Sequence, residues 1–226
     1  IETPNDVTDY FIDMLQVSQK NGNSILVIDY CSSIDKIKQA ELKNENLGFI
    51  SFIATQRDLT EVPMEFQNRN DATVEDLEDA RNFLFTLNYE GFESKTSLIN
   101  TISATDYDMV VIDLFFNDGS IFQLDQIAQL KVKPNGGKRK VICYMSIGEA
   151  EDYRYYWQGQ WQSNPPSWLD DENKNWPGNY KVQYWDSDWQ ALIYGSETAY
   201  LDRVLAAGFD GVYLDIIDAF EYFENK

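Results

Sequence analysis

The chain has 226 residues, no histidine, two cysteines and a formal net charge of −20. The missing histidine excludes Ser-His-Asp and Cys-His catalysis, a His general base and His-ligated zinc within this chain, and leaves acid–base chemistry to Asp, Glu, Tyr, Lys or Cys. The charge repels phosphate backbones, which sets nucleic acid aside as a partner, and would attract a cationic substrate.

The spacing of Val7, Phe11, Met14, Leu15 and Val17 predicts an amphipathic helix over 6–20, ended by Asn21-Gly22-Asn23. Residues 24–31 (SILVIDYC) read as a buried strand carrying Asp29 and Tyr30. A helix is predicted over 34–43, a strand over 49–54 and a loop over 59–63. Residues 67–79 are polar and acidic; they read as a surface linker running into a short helix, the best internal boundary. A strand at 83–87 leads to Asn88-Tyr89-Glu90, and a helix follows over 97–103. The strand at 109–116 (MVVIDLFF) carries Asp113, and a helix over 124–130 comes next. The strand at 141–147 (VICYMSI) runs directly into Gly148-Glu149. An irregular aromatic stretch follows, then a short strand at 182–185 and a mainly helical region over 189–207, stopped by Gly208. The last strand, 212–214, ends at Asp215, with Asp218 three residues on. No apolar run approaches the roughly 20 residues of a membrane span. Continuous apolar strands alternating with helices argue for a parallel α/β sheet covered on both faces, closed as a barrel. Cys31 and Cys143 lie in strand-like runs and read as buried free thiols.

Four strands end in acids: Asp29, Asp113, Glu149 and Asp215. Each alone could be a cap or turn residue. In a parallel arrangement, however, they converge on one mouth, where ligands bind. Crowded carboxylates split their proton affinities, so one stays protonated beside an ionised neighbour. Glycoside hydrolysis needs that pair, a proton donor and a carboxylate that attacks or activates water. A divalent-cation site and plain structural caps are the alternatives. All six tryptophans (157, 161, 168, 176, 185 and 189) fall in one window rich in loop residues. They read as a sugar-stacking platform, with core packing as the alternative. The basic stretch 131–140 (KVKPNGGKRK) lacks phosphate-loop spacing and reads as a solvated turn.

Residues 142–157 (ICYMSIGEAEDYRYYW), 176–180 (WPGNY) and 208–220 (GFDGVYLDIIDAF) resemble bacterial and archaeal glycoside hydrolases related to endo-α-1,4-polygalactosaminidases. That group was once labelled cysteinyl-tRNA-synthetase-like, a label the missing histidine argues against. The resemblance covers 83–226 and implies a (β/α)8 TIM-type barrel whose first five strands are 83–87, 109–116, 141–147, 182–185 and 212–215. Residues 1–63 resemble the family's last strand region. The implied organisation is one α/β barrel domain over 1–226, permuted or incomplete relative to the family. Asp215 falls at the position of the catalytic aspartate, while Asp113, Glu149, Tyr153, Arg154 and Asp218 would line the cleft. Asp215, Glu149 and Asp113 are therefore the catalytic candidates. Asp29, Tyr30, Tyr89, Tyr153, Arg154, Trp176, Tyr184, Trp185 and Asp218 are the substrate-binding candidates, and no metal or cofactor is expected. The implied activity is hydrolysis of an α-1,4-linked, cationic galactosamine-type polysaccharide by a secreted or cell-envelope protein. The alternative is a carbohydrate-binding barrel that lacks its second acid.

Overall fold

The computed structural model describes residues 5–225. Six parallel strands form its spine. Strands β1 (Leu26–Tyr30) and β2 (Ile50–Ala54) pair in parallel around helices α1 (Asn5–Lys20) and α2 (Ile34–Leu47). Strands β3 (Phe83–Phe85), β4 (Met109–Asp113) and β5 (Lys140–Ser146) form a second sheet, with helices α3 (Lys95–Ser103) and α4 (Leu124–Leu130) as crossovers. The two sheets meet where the Phe52 and Phe83 rings touch at 5.9 Å. The strand interiors are unbroken apolar runs because helices cover one face and the curled sheet the other. Leu84, Val110, Ile112, Val141 and Cys143 are fully buried there.

After β5 the chain leaves the parallel layer. Strands β6 (Glu149–Glu151), β7 (Leu169–Glu172) and β8 (Asn179–Val182) make a separate antiparallel sheet in the order β6-β8-β7. Helices α5 (Ser187–Ile193) and α6 (Tyr200–Ala207) lead back to β9 (Gly211–Asp215), and α7 (Phe220–Glu224) follows. Strand β9 pairs directly with β5. The sequence therefore misplaces the fourth parallel strand. Residues 182–185 end an antiparallel strand and turn, and β9 takes fourth place beside β5. The mainly helical region expected over 189–207 is made of two helices separated by a turn. Gly208 ends the second with φ +88, a conformation that favours glycine. Among the described residues the parallel strands form two sheets of two and four, not a closed barrel.

Three of the six tryptophans belong to the core. Trp161, Trp168 and Trp189 are buried, and their rings follow one another at 5.1 and 5.3 Å. Trp157 begins the chain at 5.2 Å from Trp161. The Trp189 indole N–H donates to the Ile147 carbonyl at 3.0 Å and ties helix α5 to the end of β5. This ladder satisfies the polar edge of a large buried ring, as such burial requires.

The stretch read as a surface linker is pinned. Lys133 Nζ and the Asp108 carboxylate are both fully buried, 2.5 Å apart. The same ammonium donates to the carbonyls of Asn70 and Ala72, while Asp108 accepts from the Arg81 backbone at 2.7 Å. The basic turn is correspondingly less solvated than its composition implies. Lys133 and Arg139 are buried, and Arg139 donates to the Thr105 carbonyl at 2.6 Å.

Candidate active site

Strand register sets the site. Asp113 on β4, Tyr144 on β5 and Tyr213 on β9 are cross-strand neighbours, and Ser146 pairs with Asp215 two residues further along. Asp215 thus stands at the C-terminal edge of the sheet. Its backbone carbonyl accepts from Ile147 N at 3.1 Å, and its Oδ2 accepts a 2.5 Å bond from the Tyr144 hydroxyl. Asp215 has no cation partner among the described residues. Ile216 follows at φ +59, a strained conformation for a β-branched residue. Gly148 faces that turn. A Cβ there would overlap the Ile216 carbonyl oxygen and lie 2.6 Å from Ala219 Cβ.

The other expected acids are engaged. Asp113 receives both terminal nitrogens of Arg154, at 2.8 and 2.7 Å. Arg154 also binds Glu151 through Nε at 2.5 Å. The buried guanidinium lies beside the rings of Phe115, Tyr153 and Tyr200 at 5.1–5.6 Å. Its two carboxylates hold its proton more firmly than in free arginine, against the opposing effect of burial. Glu149 is buried and paired with Lys181 at 2.5 Å, with a further bond from the Asn173 amide at 2.8 Å. Of the three acids expected to be catalytic, Asp113 and Glu149 are thus each ion-paired, to Arg154 and Lys181.

Two substrate-binding candidates are elsewhere. Asp29 accepts from the Asn44 amide of α2 at 2.8 Å, so its side chain faces the helix layer. Tyr89 is 1% exposed; its hydroxyl accepts from the Asp113 backbone at 2.7 Å, and its ring packs on Phe116 and Phe122. Asn44 thus holds the Asp29 carboxylate against α2, and burial keeps the Tyr89 ring from solvent. Tyr184 lines an apolar cavity of about 440 Å³ together with Leu214, Trp189 and Phe220. No Asp or Glu lines that cavity, and Leu214 alternates with Asp215 on the strand.

Among the remaining candidates, Tyr30 is the one whose electrostatics link it to Asp215. Tyr153 donates to Glu151 at 2.6 Å. Burial lifts the Tyr30 phenol above its ordinary value; the nearby Arg57 guanidinium opposes this and the Asp215 carboxylate adds to it. Tyr30 therefore lies within electrostatic reach of both. Arg57 in turn sits over the Trp176 ring at 4.9 Å. Trp176 is 48% exposed in the β7–β8 turn. Trp185 is 51% exposed and packs edge-on against Phe223 at 4.8 Å. Asp218 is exposed in the turn after β9, with no ion pair among the described residues. Tyr144, Glu151, Lys181 and Arg57 are participants that sequence reasoning missed. Tyr144 was legible in principle, because it stands two residues before the end of β5 on the strand face shared with Ser146.

An acid at a parallel strand's C-terminal edge, with no ion pair among the described residues and with the exposed Tyr30 and Tyr213 phenols in its field, fits carbohydrate chemistry, and comparison with known families agrees. Residues 65–226 match the model of glycoside-hydrolase family GH114. The chain belongs to this family. The GH114 match spans β3 to α7 and includes Asp215, Tyr144 and Trp176; Tyr30 and Arg57 come from outside it. Three similar proteins are uncharacterised. One from Methanocaldococcus jannaschii is 38% identical over 183 residues, 79% of this chain and 50% of the relative. One from Deinococcus radiodurans is 42% identical over 128 residues, 57% of this chain and 39% of the relative. One from Thermotoga maritima is 43% identical over 125 residues, 55% and 37% respectively. The chain thus spans half or less of the length of these relatives. No helix among the described residues is long and apolar enough to cross a membrane.

Proposed function

We propose that this GH114 chain hydrolyses an amino-sugar-containing polysaccharide, of the α-1,4-linked galactosamine type, with Asp215 as the acting carboxylate. The observation that carries this reading is the contrast among the strand-end acids. Asp113 and Glu149 are bonded to Arg154 and Lys181, whereas Asp215 accepts from the Tyr144 phenol and has no ion pair among the described residues. Asp113, Glu151 and Arg154 then form a framework that fixes the start of the aromatic segment, and Glu149 with Lys181 fixes the antiparallel sheet. Tyr30, Arg57, Trp176 and Asp218 supply the rim. Trp176 offers a flat apolar surface to a pyranose face, and Arg57 offers donors to its hydroxyls. The net charge of −20 favours a cationic polymer. A secreted or envelope location follows from the substrate class, since such polymers are extracellular.

The test is release of reducing ends from a partially deacetylated α-1,4-galactosamine polymer. Asp215→Asn should lower the rate by about 10²–10⁴-fold, the range for losing a positioned acid or base. Undiminished release by a folded Asp215→Asn protein removes Asp215 from the chemistry.

The occupied state of Asp113 and Glu149 favours a second reading, a carbohydrate-binding module without turnover. It predicts glycan binding that Trp176→Ala or Trp185→Ala abolishes, with no reducing ends released by the unmodified protein.

A further inference from the structure

We infer that Tyr144 is the positioning residue of the Asp215 carboxylate, fixing it by a bond to Oδ2 and leaving Oδ1 as the oxygen free to act. The inference rests on the reading of Asp215 as the acting acid. It begins from register. Tyr144 and Ser146 lie on β5 opposite Tyr213 and Asp215 on β9, so the phenol stands one step behind the carboxylate on the adjacent strand. The phenol reaches diagonally and donates to Oδ2 at 2.5 Å. Its ring is fixed from below. Tyr144 stacks on Tyr213 at 6.1 Å and 17°, and Tyr213 meets the edge of Phe85 at 5.1 Å. This aromatic row runs across three strands and leaves the hydroxyl little freedom to point elsewhere.

The chemistry is one-directional. Burial first, then the bond to Asp215, keeps the Tyr144 phenol protonated far above its ordinary range. It can therefore only donate. A donor to one carboxylate oxygen favours the charged form and leaves the second oxygen available. The backbone completes the arrangement. Ile147 N holds the Asp215 carbonyl at 3.1 Å, and the strained Ile216 turn begins at the next residue. Arg154 is taken up by Asp113 and Glu151, and Asp215 has no ion pair among the described residues. Tyr30, Arg57, Tyr213, Glu151 and Tyr153 are the other titratable groups around the pair.

The experiment compares the unmodified protein with Tyr144→Phe, which keeps the ring stack and removes the hydroxyl. Carbodiimide labelling of Asp215, quantified by peptide mass spectrometry across pH, reads its protonation without requiring turnover. The labelling midpoint should rise by about one pH unit, and the acid limb of kcat/KM should rise with it, so that below the limb activity falls about tenfold relative to the unmodified protein. A purely structural role would lower kcat/KM equally at all pH values. An unmoved midpoint in a folded Tyr144→Phe protein overturns the inference. If that variant does not fold, 3-fluorotyrosine at position 144 keeps the shape and donates more strongly; the midpoint should then fall, and no movement overturns the inference. A shifted midpoint together with full activity of Asp215→Asn would leave the Tyr144–Asp215 coupling standing and sink the catalytic reading alone.

Discussion

Arg154 sets the balance of charge in the site. One buried guanidinium satisfies Asp113 and Glu151 while three aromatic rings surround it. Removing a partner from a buried ion pair strands the remaining charges, at a cost of about 3–5 kcal/mol. Arg154→Met should therefore lower stability by that amount in urea unfolding, and an effect below about 1 kcal/mol would show that water already screens the trio. The acids of this site were visible in the sequence as strand-end residues, but their counterions were not. Arg154 is 41 residues from Asp113, and Lys181 is 32 from Glu149. Only folding brings those charges together, so the pairing of Asp113 and Glu149 was not legible in the sequence. The partners of Asp29 and Tyr89, the Asn44 amide and the Asp113 backbone, were hidden for a related reason. A residue near a strand end can face either layer, and the sequence around it does not say which.

At the scale of elements, the decisive junction is between the end of β5 and the turn after β9. Gly148 allows the Ile216 carbonyl to approach where no side chain fits. The obstructing atom is backbone, so it cannot swing aside as a side chain would. Gly148→Ala should destabilise the protein by about 1–3 kcal/mol, the usual cost of overpacking, and displace Asp215 enough to reduce turnover more than substrate affinity. Thermal unfolding together with a kcat-against-KM comparison checks this; an unchanged kcat in the alanine variant would contradict it. The one false parallel strand was 182–185, but all six parallel strands and most helices were readable from apolar runs and helical spacing. The antiparallel sheet was not. Its strands are short and polar, such as Leu169–Glu172 (LDDE), and are held by pairing and by the tryptophan ladder instead of by their own composition.

Across the whole molecule, the site joins segments far apart in the chain. Tyr30 follows from β1, Arg57 from the loop after β2, Trp176 from the β7–β8 turn and Asp215 from β9. The family match begins at residue 65, so half of this rim comes from outside the matched region. The aromatic window, read as one sugar platform, divides by burial into a core ladder and two exposed rings, Trp176 and Trp185. Composition places aromatics in a window, but packing decides which of them reach solvent. The most direct measurement of the central claim is a crystal structure of Asp215→Asn bound to a galactosamine oligosaccharide. The account predicts a glycosidic bond beside residue 215, its reacting atoms within about 3–3.5 Å of the introduced amide, with a sugar ring stacked on Trp176. An oligosaccharide bound away from residue 215, or seated in the apolar cavity behind β9, would contradict it.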